Sequence, residues 1–415
     1  MLMLSICLLV LSAWLAIIVI LFAWHAMFIV AIWREPTLAC PVVIVESDDW
    51  GVGPESDAEE LNRIADTLAR IRDATGHPAV MTLGVVSGHP DGARILASGL
   101  ATYHRQTLLE PRFAAIVDAM RAGCKAGVFA LQWHGLEHLW PAALMARVRE
   151  DASLQAWLAD PRARSESLPS PLQSRWTDAS RLPSAALASA DVEAAVREEA
   201  GLLAAVFGSV PRVAVPNTFV WNDDVERAWV AAGVYCIVTP GRRFEGRSAT
   251  GGLLPPTRTF RNGERAASGA VLVVRDDYFE PIRGHKAEQV WAAVERKTCL
   301  GRPTLLETHR ESFIASRELA ALAHHELERA LRGVLERHPD VRFMSTEALA
   351  AYLSDPSSKI RERSIRRRFG TFLHRLQADA ALLRPLKFSG LRWVLMLATR
   401  VLDRLVPGRP QANSR

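Results

Sequence analysis

Five polar residues in this 415-residue sequence have types and spacing that suit hydrolytic chemistry, and each of them follows a short apolar run. They are Asp48 and Asp49, His134 and His138, and His309. Two adjacent carboxylates repel each other unless a cation or a proton separates them. Imidazole and carboxylate together form a ligand set typical of zinc. The five residues therefore suggest a metal site. Three alternatives without a catalytic role stay open. Asp48 and Asp49 could cap a turn, His134 and His138 could be unrelated, and His309 could have a purely structural role.

The segment from His134 to His138 also matches H-x-x-E-H, a zinc-protease pattern in which Glu137 would be the general base. That pattern needs the middle of a helix. Here an apolar strand-like run precedes the segment, Gly135 lies inside it, and Pro141 follows within about one helical turn. The context disfavours the protease interpretation.

The elements that must position these residues are predicted by apolar β-rich runs that alternate with helical stretches. Strands are expected at 42–45, 79–86, 128–133, 213–215, 235–238, 270–275, 304–307 and 341–344. Helices are expected at 59–74, 112–122, 142–158, 190–207, 223–232, 286–296 and 316–336. Such alternation predicts a parallel sheet with crossover helices, and seven or eight strands over roughly 310 residues suit a (β/α) barrel. Barrel sites gather where strands end, and the five polar residues all lie at predicted C-terminal strand ends. Residues 160–183, rich in Pro, Ser and Arg, are expected to form a long loop inserted near that rim.

Across residues 41–353 the sequence resembles the polysaccharide deacetylase family, also called the NodB-homology or carbohydrate esterase family 4 group. The resemblance rests on the Asp pair, the HxxxH motif and the late histidine. It implies an irregular (β/α) barrel of about seven strands, within an α/β fold class. It also implies that Asp48 is the catalytic base, that Asp49, His134 and His138 bind one divalent metal, and that His309 is the general acid.

Two of the family's motifs match this chain poorly. The stretch 216–223 is similar to the third motif, but Ala214 and Val215 stand where an Arg is expected before its Pro, and Arg212, Arg275 or Arg310 could replace it. The stretch 275–281 lies where the fourth motif's Asp and Trp would be.

Elementary chemistry agrees with the activity that the resemblance implies. Amide hydrolysis needs a polarised carbonyl, an activated water and a proton for the leaving amine. Three protein ligands leave positions open on a metal for water and substrate. Zinc is the default for a set of imidazole and carboxylate ligands, with cobalt, nickel or manganese as substitutes. Asp48 beside ligand Asp49 is placed to accept the water's proton, and His309 can protonate the leaving nitrogen. The expected activity is removal of an N-acetyl group from an amino sugar in a polysaccharide or lipid-linked saccharide.

Other functions stay open at the sequence level. A deformylase or a glycoside hydrolase could use the same barrel, and a catalytically silent glycan-binding membrane protein would keep the fold without the chemistry. Trp50, Trp133, Trp140 and Trp221 lie near the same strand ends and could stack on sugar rings, although core packing is equally expected.

The N-terminal segment predicts a membrane anchor. Residues 1–33 contain no Lys, Arg, Asp or Glu. The length of this uncharged run exceeds the roughly 20 apolar residues that a helix needs to span a bilayer. A cleaved signal peptide or a buried helix would be the alternative, but nothing basic precedes the run. Arg34 follows it directly, which favours the main body on the cytoplasmic side.

The C-terminal segment predicts a basic amphipathic tail. Residues 359–415 carry 14 basic and 3 acidic side chains, net +11, which leaves the preceding residues at net −6. An acidic main body argues against nucleic-acid binding. We therefore expect an anchor over 1–33, a deacetylase-like barrel over 38–353, and a tail over 359–406 that binds anionic membrane lipids, with a solvated or packed tail as the alternative.

Overall fold

The computed structural model describes residues 2–405 and divides them into two compact units. Met1 and residues 406–415 lie outside the described part, so the first residue of the expected anchor and the last residue of the expected tail do too. The larger unit comprises Val42–Ala293 with Thr304–Ser354. The smaller unit comprises the N-terminal residues up to Pro41, Val294–Pro303, and the chain from Asp355 onward.

Nine strands form the main sheet of the larger unit, and all of its described pairings are parallel. The strands are β1 (Val42–Gly51), β2 (Met81–Val86), β3 (Phe129–Trp133), β4 (Val213–Ala214), β5 (Cys236–Thr239), β6 (Val271–Val274), β7 (Asp277–Tyr278), β8 (Thr304–His309) and β9 (Arg342–Phe343). Their order across the sheet is β6-β5-β4-β3-β2-β1-β8-β7, and β9 pairs with the first residues of β1.

The two ends of this sheet are close in the chain, because only Arg275 and Asp276 separate β6 from β7. Val274 and Asp277 are three residues apart and so lie within about 11 Å of each other. A sheet whose two edge strands are tied this closely must curl into a barrel with an opening between them. The expected α/β barrel is confirmed.

Helices connect the strands and cover them. Between residues 56 and 354 the α-helices are Ser56–Ala69, Gly92–Ala97, Ala114–Lys125, Pro141–Val148, Ala152–Ala159, Ser189–Phe207, Asp223–Ala231, Ala287–Cys299, Glu311–Ile314, Arg317–Arg337 and Thr346–Ser354. All ten residues of β1 are buried, as expected for a parallel strand that is covered on both faces.

The structure contains three α-helices of the larger unit that were not expected, Gly92–Ala97, Glu311–Ile314 and Thr346–Ser354, and it differs from the expected elements in two further places. The helix expected at 142–158 is two helices, because Asp151 caps the second one by accepting a hydrogen bond from the Ser153 amide at 2.9 Å. The two-residue strand β7 was not expected, since so short a run carries no periodic signal. The inserted segment 160–183 holds short 3-10 turns and one strand of a two-stranded pair, Thr177–Asp178 with Ala185–Ala186.

The smaller unit is helical. Its helices include Leu2–Trp24, Ala26–Arg34, Ile365–Ala378, Ala380–Phe388 and Leu391–Leu405. Met3–Trp24 is long and apolar enough to cross a membrane. Arg375 lies buried among the backbone carbonyls at the end of Ala26–Arg34, and its guanidinium donates to the oxygens of Glu35 and Pro36 at 2.8 Å each. This contact ties the tail to the end of the N-terminal helices. The division at 33, 38, 353 and 359 stays a prediction.

Candidate metal centre and active site

Asp48 and Asp49 reach the same site because β1 is irregular between them. Side chains of neighbouring residues on a regular strand point to opposite faces. Here the pairing of β1 with β2 shifts between Ser47 and Trp50, and Asp49 adopts a left-handed backbone conformation with φ 71°. Non-glycine residues rarely hold this conformation, and when they do it is often at a functional site.

Asp49, His134 and His138 form a compact buried cluster. The Nε2 atom of His134 lies 3.2 Å from Asp49 Oδ1, and the Nε2 atom of His138 lies 3.3 Å from the same oxygen. One ligand atom from each residue falls within 4.8 Å of the other two. The structure thus brings together the three residues that the sequence predicts as metal ligands.

The protonation pattern of this cluster fits a cation. Nδ1 of His134 lies 3.0 Å from the carbonyl oxygen of Val215, so Nδ1 carries a proton and Nε2 faces Asp49. Asp49 Oδ1 is buried and has no hydrogen-bond partner among the described residues. A ring nitrogen that lies 3.2 Å from a carboxylate oxygen requires either a metal ion or a proton between the two atoms. Two imidazole nitrogens and one carboxylate oxygen are donors that suit zinc.

Glu137 lies between the two histidines in the sequence, and its hydrogen bonds stabilise the loop that carries them. This buried carboxylate accepts hydrogen bonds from Tyr103 Oη at 2.9 Å, Arg105 Nε at 2.5 Å and Arg175 at 2.6 Å. Residues 134–140 form no helix. Glu137 is therefore occupied by two guanidinium groups and a phenol, and this arrangement gives no support to the protease interpretation.

Gly135 is required in that loop for two reasons. Its φ is +89°, and a Cβ atom there would lie 2.7 Å from the carbonyl oxygen of Glu137 and 2.9 Å from Asn217 Oδ1. Asn217 in turn donates from Nδ2 to the carbonyl oxygen of His134 at 2.6 Å. Asn217 thus fixes the backbone of a ligand, a role that the sequence analysis did not assign.

Asp48 is buried and held by Arg275. The Arg275 guanidinium donates to Asp48 Oδ2 at 2.6 Å, while Gln132 Nε2 lies 3.5 Å from Oδ1. Burial alone would raise the pKa of Asp48, but the charges of Arg275, His134 and His309 outweigh it and hold that pKa below its usual value. Asp48 is a carboxylate at neutral pH.

Arg275 also contacts two other buried carboxylates, Glu46 at 2.9 Å and Glu307 at 3.1 Å. Burial outweighs the guanidinium at both of them and raises their pKa values. Of the three carboxylates around Arg275, only Asp48 has a lowered pKa. Of the three arginines that could replace the missing one, Arg275 is the one that contacts Asp48.

The other two arginines that could have replaced the missing one lie elsewhere. Arg212 is exposed and lies 3.7 Å from Glu347. Arg310 donates to Glu166 at 2.8 Å and lies 3.7 Å from Asp57.

His309 stands beside Asp48 on the neighbouring strand, because the two residues are paired across β1 and β8. Nδ1 of His309 hydrogen-bonds with Glu280, whose other oxygen accepts from Ser312 Oγ at 2.8 Å. Burial would lower the pKa of His309, but Glu280 together with Asp49 and Asp48 raises it to about 10. The side chain is 32% exposed, so a protonated imidazole faces the open end of the barrel.

Glu280 was not assigned from the sequence. It lies in the stretch 275–281, where the fourth motif was expected and matches poorly. Its sequence signal was weak, because Glu280 is one of three carboxylates in the stretch 276–280 and nothing in the sequence distinguishes it from Asp276 and Asp277.

The aromatic residues named from the sequence do not form a binding surface. Trp50, Trp133 and Trp221 are buried in the core, so stacking on a sugar is excluded for them, and Trp140 is half-buried beside Arg175.

A groove of about 1070 Å³ lies at the rim of the barrel. Its lining includes Val52, which follows β1, Arg310, which follows His309, and residues 157–164, which run from the end of the helix Ala152–Ala159 into the inserted segment. The Trp157 indole packs at 5.6 Å from His89, and its Nε1 donates to the carbonyl oxygen of Arg164 at 3.1 Å and to Ser167 Oγ at 3.0 Å.

Comparisons with known proteins add the following. No protein-family model matches this chain, and none of the curated proteins is similar to it in sequence. Solved structures similar in fold include the 4-alpha-glucanotransferase from Thermococcus litoralis, with 9% identity, a TM-score of 0.40, and coverage of 75% of this chain and 40% of that one. The match thus spans less than half of the glucanotransferase.

Two family 4 carbohydrate esterases are also similar in fold. A family 4 carbohydrate esterase from Streptomyces lividans, in complex with acetate, has 11% identity and a TM-score of 0.35, covering 74% of this chain and 92% of that one. A family 4 acetyl xylan esterase from Clostridium thermocellum, in complex with a cobalt ion, has 11% identity and a TM-score of 0.34, covering 75% and 90%. Likenesses at this level leave the activity to be argued from the site itself.

Proposed function

We propose that the protein is a metal-dependent hydrolase that removes an N-acetyl group from an amino sugar of a polysaccharide or lipid-linked saccharide at a membrane. The observation that carries the proposal is the pairing of Asp48 with His309 across two strands. Asp48 is held by Arg275 and His309 by Glu280. A glycan-binding protein would need neither of these two ion pairs.

Asp49, His134 and His138 would hold the metal, with zinc as the default and cobalt, nickel or manganese as substitutes. When bound, such an ion polarises the acyl oxygen and lowers the pKa of water. Tying the His134 proton to Val215 keeps Nε2 free as a ligand.

Asp48 is suited to accept a proton from the attacking water. Its Oδ2 atom is held by Arg275, and Oδ1 has only the long contact to Gln132. Because its pKa is lowered, the carboxylate is ionised and ready to act as a base at neutral pH. The water oxygen then forms a bond with the acyl carbon while Asp48 takes up the proton.

His309 is suited to protonate the leaving nitrogen as the C–N bond breaks. The hydrogen bond of Nδ1 to Glu280 leaves Nε2–H as the proton that can be transferred. The bond pair of the broken C–N bond stays on nitrogen and accepts that proton, so acetate and a free amine are released.

The rim groove supports an extended saccharide over a small metabolite. Its volume of about 1070 Å³ lies just above the range of roughly 300–1,000 Å³ for pockets that hold small molecules. Trp157 has a fixed ring orientation and a partly exposed surface in this groove, as a platform for a sugar ring requires.

Membrane attachment is the second part of the proposal. Met3–Trp24 would span the bilayer, and the basic tail would bind anionic lipids at the same surface. Arg34 after the anchor favours the cytoplasmic side for the main body. A reporter fused after Arg415 tests this orientation, and activity only in the periplasm would overturn it.

Acetate release from N-acetylhexosamine oligomers, measured with and without a chelator, tests the activity. We expect turnover by the metal-loaded protein, loss on chelation, and a decrease of about 10²–10⁴ in rate for Asp48→Asn. Full activity of Asp48→Asn would favour the silent glycan-binding alternative. Release of formate from an N-formyl analogue but no acetate would identify a deformylase, and cleavage between sugar units would identify a glycoside hydrolase.

His309→Ala separates the acid role from a structural one. An activated acetyl ester has a leaving group that departs without a proton, so this variant should cleave it at a rate much nearer to that of the unmodified protein than it cleaves an N-acetyl sugar. Equal losses on both substrates would remove His309 from the acid role.

A further inference from the structure

The C-terminal tail makes contact with the middle of the anchor helix rather than with its end. Trp14 Nε1 in Leu2–Trp24 donates a hydrogen bond of 2.7 Å to the carbonyl oxygen of Ser389. Ser389 lies in the turn between the helices Ala380–Phe388 and Leu391–Leu405, which we call the tail hairpin.

The contact continues along the anchor from Trp14 toward Arg34. A small apolar cavity of about 30 Å³ lies between the anchor side and the tail. Its lining residues are Leu21, Phe22, His25 and Ile29 from the N-terminal helices, and Leu376, Leu382, Pro385, Leu386, Ser389, Leu391 and Leu395 from the tail. Further toward Arg34, Ile32 packs in one cluster with Leu373 and Leu376. The hairpin therefore runs alongside the anchor.

The length of the anchor fixes how deep the turn must lie. About 20 residues at 1.5 Å per residue cross the hydrocarbon core. Any window of that length within Leu2–Trp24 contains Trp14 with at least seven residues between it and the boundary on the Arg34 side, which is about 10 Å. If the spanning window were moved further toward Arg34, the distance between Trp14 and the boundary on the Arg34 side would increase. If Met3–Trp24 spans the bilayer, Ser389 lies inside it.

The exposed surface of the hairpin is suited to this environment. Phe388 next to the turn is 88% exposed and Trp393 is 75% exposed, and Val394, Leu397 and Val401 are exposed as well. The exposed cations Arg384, Lys387 and Arg392 flank the turn. Charges are costly at the centre of a bilayer, but long basic side chains can reach the headgroups from about 10 Å below, where amphipathic helices bury their apolar faces.

We propose that the tail hairpin is a re-entrant membrane element, held by the Trp14–Ser389 contact with its turn about 10 Å or more inside the hydrocarbon boundary, and that its arginines and Lys387 bind anionic lipid headgroups. This inference rests on the membrane-anchoring part of the proposed function. It differs from the expectation of a tail that lies on the surface, because the turn and Phe388 are surrounded by acyl chains.

Fluorescence quenching in the full-length protein tests the depth of the turn. A coumarin amino acid is placed at Phe388 in one variant and at Tyr352, an exposed residue of the larger unit, in a matched control. Both proteins are reconstituted into vesicles of phosphatidylcholine and phosphatidylglycerol. We expect lipids brominated on the acyl chain to quench the label at position 388 and not at 352, and aqueous iodide to do the reverse.

Iodide quenching at position 388 equal to that at 352 would overturn the proposal. Trp14→Phe, which keeps the ring and removes the donor, should weaken bromolipid quenching at 388, and an unchanged profile would show that the contact does not hold the turn. Alkaline carbonate extraction of the same samples separates the two levels of the argument. Protein that resists extraction but has a water-exposed label at 388 keeps its anchor and lacks the re-entrant hairpin, whereas extracted protein lacks the anchor itself.

Discussion

Arg275 donates to Asp48 at 2.6 Å across 227 positions of sequence, and this pair sets the charge of the candidate base. The guanidinium touches three buried carboxylates in a fixed fork, a geometry that an ammonium group cannot reproduce.

We predict that Arg275→Lys moves the acidic limb of the kcat/KM profile to higher pH. The pKa of Asp48 is lowered in the folded protein, so weakening its cation raises that pKa, and the ionised base is then lost at a higher pH than before. The measurement is the pH dependence of acetate release, with folding followed by circular dichroism. An unmoved acidic limb in a folded variant would mean that Arg275 does not control Asp48.

The basic limb should respond to Glu280. The pKa of His309 is raised to about 10, and Glu280 contributes to that increase. Glu280→Gln keeps a hydrogen-bond acceptor but removes the charge, so His309 should lose its proton at lower pH and the basic limb should move down.

The control for this experiment is the acidic limb, which Glu280→Gln should leave near its original position. A change in kcat without any change in the basic limb would assign Glu280 a purely structural role.

Gly84 on β2 leaves space for the candidate base. A Cβ atom at this position would lie 2.5 Å from Asp48 Oδ1 and 3.1 Å from Asp48 Cα, so Gly84→Ala must displace the carboxylate. A displacement of about 1 Å can cost up to about 10²-fold in rate, and we expect kcat to decrease by that order while metal content is kept. Gly201→Ala is the matched control, because nothing lies within 4 Å of its Cβ position. Equal activity of the two variants would contradict the proposed position of Asp48.

Metal content should depend on His134. We expect about one equivalent of divalent metal in the purified protein and a large loss in His134→Ala, since Asp49 and His138 alone offer two ligands. His325→Ala removes an exposed histidine and should retain the metal. A His134→Ala protein with full metal content would place the ion elsewhere.

Much of the site could be predicted because its residues lie in short local motifs. The Asp pair and HxxxH each stand directly after an apolar strand, and a barrel brings such strand ends together. The partners of these residues were harder to predict: Arg275 was one of three candidate arginines and Glu280 was not assigned, since neither residue carries a local pattern. Their contacts depend on the closeness of β6, β7, β8 and β1, which is a property of the closed sheet.

The strands show the same difference between features that depend on the local sequence and features that depend on contacts with distant residues. Apolar runs predicted eight of the nine main strands, because buried parallel strands are hydrophobic along their whole length. The two-residue strand β7 forms only because β8 offers it a partner. The irregularity in β1 that turns Asp49 toward the histidines could not be predicted, because the two adjacent carboxylates were its one sequence signal.

The contact between Arg175 and Glu137 limits how freely the inserted segment could be exchanged. Arg175 belongs to the insertion, whereas Glu137 stands between the two histidines of the metal centre. A chimera that received another protein's insertion would lose one of the two guanidinium groups at this buried carboxylate, while Arg105 and Tyr103 would remain. The cost should therefore be smaller than the roughly 3–5 kcal/mol of a buried charge left without any partner. The insertion and the loop that carries His134 and His138 are therefore coupled, and a transplanted insertion would preserve the present support of that loop only if it brought a cation of its own to Glu137.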